Sequence, residues 1–203
     1  DHNGTQAYPE ILKTYKSLKK KAKDKEKFNF KVIYGTELNL IDDSVEIVFR
    51  PNNNDLLSST YVVFDFETTG FNAGGSDSII EVGAVKICNG EIIDRFSELI
   101  NPGVKISSII TSITNITNDM LKDKPSEEEV IKRFINWVGD LPMVAHNAKF
   151  DASFLECAFG KYDLGKYTNP LIDTLELSRA LDSNQARHSL SALVKRYDIP
   201  WDE

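Results

Sequence analysis

The chain has 203 residues, 41% of them hydrophobic and 27% charged, with a net charge of −7, which allows one large or two small soluble domains. Its few cysteines, Cys88 and Cys157, exclude a disulfide framework and point to a reducing cytoplasm. No apolar run approaches the ~20 residues of a membrane span, and no secretory signal is visible. Residues 1–57 are nearly neutral, so almost all of the negative charge lies on residues 58–203; such a domain does not attract a phosphate backbone by bulk charge.

In chain order, residues 9–27 predict a helix. Pro9 suits a first turn, and Ile11, Leu12, Tyr15, Leu18 and Ala22 make an apolar stripe. The lysines at its end (Lys19, Lys20, Lys21, Lys23, Lys25, Lys27) are interleaved with Asp24 and Glu26. They read as a solvated helix end, with a nucleic-acid contact as the alternative. Phe30 to Gly35 and Val45 to Phe49 read as strands. Pro51-Asn52-Asn53-Asn54-Asp55 is a loop, and a domain boundary is expected at 51–59, dividing the chain into 1–57 and 58–203.

Beyond that boundary, strands are predicted at 61–67, 79–87 and 92–100, the last two joined by the hairpin signal Asn89-Gly90. Three strands followed by helices suggest an antiparallel meander opening a mixed sheet. Ser126 and Glu129 form a capping box for a helix running through Trp137. A short buried strand follows at 141–145. Further helices begin near Lys149 or Phe150, after Asp173, and near Leu190.

The run Tyr61-Val62-Val63-Phe64-Asp65-Phe66-Glu67 holds the chemistry. Strand side chains alternate, so Asp65 and Glu67 share a face about 7 Å apart along the strand. Two carboxylates there repel and lose hydration, and a divalent cation removes both penalties. Asp151 falls at the start of a helix, where the macrodipole favours an acid, and it is a candidate third ligand. Hard oxygen donors without a Cys/His cluster favour Mg²⁺ or Mn²⁺ over zinc.

Asp65-Phe66-Glu67-Thr68-Thr69-Gly70, Ile79-Ile80-Glu81-Val82-Gly83-Ala84-Val85 and His146-Asn147-Ala148-Lys149-Phe150-Asp151 resemble, in order, the motifs of the DEDD 3′–5′ exonucleases. The resemblance spans residues 61 to about 200. Asn101-Pro102-Gly103 and Ile113 to Leu121 resemble the segment after the third strand, although Asn115 stands where glycine is usual. It implies an α/β, ribonuclease H-like fold: a mixed five-stranded sheet flanked by helices and truncated at its C-terminus. It also implies two ions, Mg²⁺ or Mn²⁺, held by Asp65, Glu67 and Asp151, and two-metal hydrolysis of a terminal phosphodiester. Thr68, Thr69 and Gly70 would hold the terminal nucleotide by backbone groups. Phe71 would pack on its base or else cap the core. His146 and Asn147 would position Asp151 or contact DNA, with a satisfied core histidine as the alternative for His146. Asp173 reads as an N-cap rather than a ligand.

The family's last motif is a His followed five residues later by an Asp, the general base and the fourth carboxylate. Five residues after His188 stands Leu193, so His188 reads as a helix-start residue. The chain is therefore expected to be a segment of a longer protein, weakly active or inactive on its own.

The first residues resemble a second family. Asp1-His2-Asn3-Gly4 and Tyr34-Gly35-Thr36-Glu37-Leu38-Asn39-Leu40 resemble part of a PHP domain, with His2 and Glu37 at metal-ligating positions. An exonuclease set into a PHP domain is the arrangement of the PolC-type catalytic subunits of bacterial replicative DNA polymerases. That resemblance implies a DNA 3′ end as substrate, the rest of the polymerase chain and replisome components as partners, proofreading as the role, and no membrane. The alternatives are a DEDD ribonuclease trimming RNA ends and a non-catalytic nucleic-acid-binding module.

Overall fold

The computed structural model describes residues 7–22, 29–33, 46–53 and 59–200. The chain divides into two compact units, Asp1–Ser44 and Val45–Glu203. In the first, helix α1 (Tyr8–Lys21) starts with a proline in its first turn and ends with Lys19, Lys20 and Lys21, which complement the negative end of its dipole. It stops six residues short of the expected 27; residues 23–28 lie outside the described residues. The expected strand at 30–35 is not found over Phe30–Ile33, which take no regular structure. A strand requires a ladder partner, and Ile33 is instead 82% exposed. His2 and Glu37 lie outside the described residues.

The second unit is built on a six-stranded mixed sheet, not five. Its strands are β1 (Val48–Phe49), β2 (Tyr61–Thr68), β3 (Ile79–Cys88), β4 (Glu91–Leu99), β5 (Met143–Ala145) and β6 (Leu171–Asp173), in the order β1-β6-β5-β2-β3-β4. The extra strand is β1, which runs antiparallel to β6, with the amide of Asp173 donating to the carbonyl of Ile47 at 2.9 Å. It covers a sheet edge that would otherwise present unpaired backbone groups. The stretch expected to form a strand before the boundary thus contributes Val48 and Phe49 to this sheet.

β2, β3 and β4 form the expected meander, and β2, β5 and β6 are parallel. Asn89 (φ 52°) and Gly90 (φ 80°) make the turn between β3 and β4, and that left-handed pair matches the twist of the strands it joins.

Seven helices are seen among the described residues: α1, α2 (Ser108–Thr114), α3 (Asn118–Leu121), α4 (Glu127–Val138), α5 (Lys149–Lys161), α6 (Thr174–Leu181) and α7 (Leu190–Arg196). α4 carries the full capping box, with Ser126 and Glu129 bonding each other's backbone amides. Asn115 ends α2 at φ 59°, a left-handed position asparagine tolerates where glycine is usual.

The core sits on one face of β2. Val62, Phe64 and Phe66 are buried there and pack with Phe134 of α4 and with Phe154 and Leu155 of α5. Glu127, at the start of α4, pins three elements. Its carboxylate accepts from the amide of Ile79 on β3 (2.9 Å) and from Tyr162 Oη (2.5 Å) and Lys161 Nζ (2.7 Å) at the end of α5. The opposite face of β2 is left to Asp65 and Glu67.

Candidate active site

The site forms where β2 runs past its parallel neighbour. Val62 donates its amide to the carbonyl of Pro142, but β5 ends at Ala145, where the chain turns into α5. Two residue pairs further along β2, the amide of Phe66 points to the same edge. It is taken by the carboxylate of Asp151, whose Oδ1 accepts at 3.0 Å. A side chain from the first turn of α5 thus continues the backbone ladder, and Asp151 is 2% exposed.

Asp65 and Glu67 lie on the open face of the same strand. Directly across on β3 stand Gly83 opposite Asp65 and Glu81 opposite Glu67. The register shifts between Glu67 and Thr68, a bulge that ends the regular ladder beside the carboxylates. Asp65 borders a groove of about 570 Å³ lined also by Tyr61, Val63, His146, Thr174 and Leu190.

The four acids repel one another. Burial raises the proton affinity of Asp151 from the usual 3.8 to about 7, with Asp65 adding to the rise and the amide of Phe66 opposing it. Glu67 is raised by burial and then by Asp65 and Glu81. Glu81 is raised by burial and by Asp65, and Asp65 by burial, against the pull of His146. Such mutual elevation marks a site built for positive charge.

Among the described residues, no three carboxylate, imidazole or thiol groups converge closely enough to close on one ion. The donor chemistry nevertheless fits a hard divalent cation: all-oxygen, anionic, at a strand end, with Asp65 bordering an open groove that leaves its side chain room to rotate. Glu81 was not among the residues singled out from the sequence. Only the register of β2 against β3 sets it across from Glu67.

The other expected site residues lie around this cluster. Thr68 is buried, and its hydroxyl donates to the carbonyl of Gly70 at 2.6 Å. The amide of Thr69 donates to the carbonyl of Ser78, and its hydroxyl to Asp77, whose other oxygen accepts from the amide of Asn72. Gly70 lies against the same carboxylate: a Cβ there would meet Asp77 Oδ2 at 2.4 Å. Phe71 is 85% exposed, its ring 6.1 Å from that of Phe150. It does not cap the core.

His146 is half-buried beside the groove. Thr174 Oγ1 donates to the carbonyl of Ala145 at 3.2 Å, which leaves its oxygen to accept from His146 Nδ1 at 3.0 Å. Donor accounting therefore puts the neutral ring's proton on Nδ1. His188 is a structural residue: Ser178 Oγ meets its Nδ1 at 2.8 Å, and the carbonyl of Gln185 meets its Nε2 at 2.9 Å. Asn147 sits at φ 61° with an exposed side chain, and its amide donates to Asp173.

A mixed sheet flanked by helices, with acids of the central strand and an adjoining helix gathered at one strand end, defines an α/β nuclease domain of ribonuclease H-like fold. Residues 62–203 match the family model described as exonuclease, and the chain belongs to that family. It is 44% identical, over 98% of its length, to the PolC-type DNA polymerase III of Staphylococcus epidermidis. It spans 13% of the length of that relative. Among solved structures it resembles exonuclease X in complex with 5′ overhanging duplex DNA, at 30% identity and a TM-score of 0.55, covering 70% of this chain and 75% of that one. It also resembles product-bound exonuclease I, at 18% identity and a TM-score of 0.62, covering 72% of this chain and 40% of that one; at that identity the likeness is one of fold. Among the described residues, no helix is long and apolar enough to cross a membrane.

Proposed function

We propose that the chain is the 3′–5′ proofreading exonuclease module of a bacterial replicative DNA polymerase, hydrolysing the last phosphodiester of a DNA 3′ end. The observation that carries this reading is the bond from the amide of Phe66, between Asp65 and Glu67 on β2, to the carboxylate of Asp151, which sets the helix acid beside the strand pair. Identity with PolC-type polymerases over nearly the whole chain supports DNA as the substrate, the rest of the polymerase chain and replisome components as partners, and the cytoplasm as the location. The PHP segment then precedes the nuclease and ends earlier than the expected residue 57, since Val48 and Phe49 pair with β6 in the nuclease sheet.

Asp65, Glu67 and Asp151 would hold Mg²⁺ or Mn²⁺. The ions supply the positive charge this acidic domain lacks and the Lewis acidity that hydrolysis of a phosphodiester needs. The chain's own residues do the rest. The backbone of Thr68, Thr69 and Gly70, held by Asp77, forms the floor for the terminal nucleotide. Phe71 offers its face to a base, since stacking tolerates any sequence. His146 and Asn147 flank the phosphate path at the end of β5. Both ring nitrogens of His188 are engaged, which takes it out of the chemistry; Nδ1 of His146 is held by Thr174, and the resemblance assigns the general base to a later His-containing motif, not to His146. The 203 residues alone should turn over slowly.

The test is degradation of labelled single-stranded DNA and of its RNA counterpart, with Mn²⁺ and with EDTA, by this chain and by a longer one continuing past Glu203. Metal-dependent 3′ trimming of DNA, much faster by the longer chain, is expected. Trimming of RNA alone would make it a ribonuclease. Binding without cleavage by either chain would make it a non-catalytic nucleic-acid-binding module. Full activity of the 203 residues would place the general base within them, at His146.

A further inference from the structure

Asp173 is 1% exposed and lies at the end of β6, a strand that touches neither Asp65 nor Glu67. As the N-cap of α6 it accepts from the amide of Leu175 at 2.9 Å. That is the role its sequence context indicates. The same carboxylate does a second thing. Oδ1 also accepts from the amide of Asn147 at 3.0 Å, and Oδ2 from the amide of Ala148 at 3.0 Å. Ala148 is the N-cap position of α5, and its own side chain can cap nothing. The missing cap of α5 is therefore supplied by the residue that caps α6.

The turn held in this way is short and bent. Asn147 stands in the left-handed region at φ 61°, a conformation that needs outside support in a residue with a side chain. One helical turn beyond Ala148 comes Asp151, whose carboxylate reaches the amide of Phe66 between Asp65 and Glu67. A path of hydrogen bonds at either end, joined by the main chain of the first turn of α5, thus runs from Asp173 through the 147–148 amides to the central strand. We propose that Asp173 is a positioning residue for the carboxylate site, setting the height and rotation of α5 so that Asp151 meets β2. This rests on the reading of Asp151 as a partner of Asp65 and Glu67.

The test is a graded series in the full chain. In Asp173→Asn the carboxamide keeps an oxygen for Leu175 and Asn147 but turns an NH₂ towards the amide of Ala148. In Asp173→Ser a hydroxyl still caps α6, since serine is a good N-cap, but does not reach α5. Ser126→Ala is the control, removing a cap of similar strength from α4, far along the chain from this turn. Two quantities are read: hydrogen exchange of the Phe66 amide, which needs no metal or activity, and the Mn²⁺ concentration for half-saturation by electron paramagnetic resonance. The expected order is wild type, Asn, Ser, with Phe66 exchange accelerating about tenfold or more and Mn²⁺ half-saturation rising ~10–100-fold. Ser126→Ala should lower the melting temperature and move neither. The proposal is overturned if both Asp173 variants leave the Phe66 amide and Mn²⁺ binding where Ser126→Ala leaves them. Should the serine variant not fold, the asparagine variant decides by the same two readings. Asp151→Asn separates the two levels: if it leaves Mn²⁺ binding unchanged, the site reading fails, while the Phe66 exchange still judges the role of Asp173.

Discussion

Asp151 Oδ1 accepts the backbone amide of Phe66 at 3.0 Å, in the place where a strand carbonyl would otherwise continue the ladder. One carboxylate therefore serves both the sheet and the site, and substitutions separate the two. Asp151→Asn retains an oxygen for the Phe66 amide and removes a charge that burial disfavours. The metal-free variant should melt higher than the wild type while losing activity well beyond the ~10–100-fold that outer-shell changes cost. Asp151→Ala leaves the buried amide unpaired, at a cost of about 1–3 kcal/mol. Thermal melts and single-turnover cleavage of a labelled oligonucleotide check both; an asparagine variant less stable than the alanine variant would show that the amide bond is unimportant.

The raised proton affinity of Asp151 has a consequence for stability. Folded, it holds its proton up to about pH 7; its usual value is 3.8. Across that window the folded chain binds more protons than the unfolded one, so stability is highest at the acidic end and falls as pH rises to about 7. The difference is at most on the order of 4 kcal/mol for this group. Asp65, Glu67 and Glu81 are displaced in the same direction. A divalent cation reverses the trend by binding the ionised acids. The melting-temperature gain from Mn²⁺ should be small near pH 5 and large near pH 8, and Asp151→Asn should flatten that difference. Calorimetry at the two pH values, with and without Mn²⁺, measures it.

The core strand was legible because one of its faces is buried: against Val62, Phe64 and Phe66, the acids at 65 and 67 break the pattern the fold demands. The hairpin at Asn89-Gly90 and the cap at Ser126 were legible because local geometry requires those residue types. Val48 and Phe49 were legible as a strand but not as part of this sheet, since their partner β6 lies more than a hundred residues on and is too short for periodicity to mark. Glu127 looked like one more acid in a helix's first turn; only folding brings Ile79, Lys161 and Tyr162 to it. Glu81 and the reach of Asp173 to Asn147 and Ala148 were hidden for the same reason. Both depend on which elements become neighbours. A local pattern does not contain that.

The loop after β2 offers a test that leaves the carboxylates untouched. Gly70 is in contact with Asp77, and an added Cβ would lie 2.4–2.7 Å from three atoms of that carboxyl group. Asp77 must then swing away, releasing the Thr69 hydroxyl and the Asn72 amide that it holds. Gly70→Ala should leave the Mn²⁺ requirement unchanged, lower the melting temperature modestly, and raise KM for single-stranded DNA about tenfold. Asp77→Ala in the same background restores room for the Cβ but not the hydrogen bonds, so KM should stay high. Recovery of KM in the double variant would show that the clash, and not the lost loop order, was responsible.

Phe71 is the most exposed aromatic side chain beside the site, with 85% of its surface open and, among the described residues, Phe150 as its one ring neighbour. A residue that contributes so little to the core can be removed at a cost within about 0.5 kcal/mol of stability. Its expected contribution is to substrate: stacking a base on an aromatic face is worth about 1–3 kcal/mol. Phe71→Ala should therefore melt with the wild type, keep its Mn²⁺ half-saturation, and bind single-stranded DNA about tenfold more weakly at its 3′ end. Phe71→Trp should bind as well as the wild type or better, because the stacking surface grows. A DNA lacking its terminal base should bind both variants and the wild type alike, since the partner of the ring is then gone. Fluorescence anisotropy with the two oligonucleotides, under EDTA to prevent cleavage, makes the comparison. Equal binding of the intact DNA by wild type and alanine variant would remove Phe71 from the substrate path.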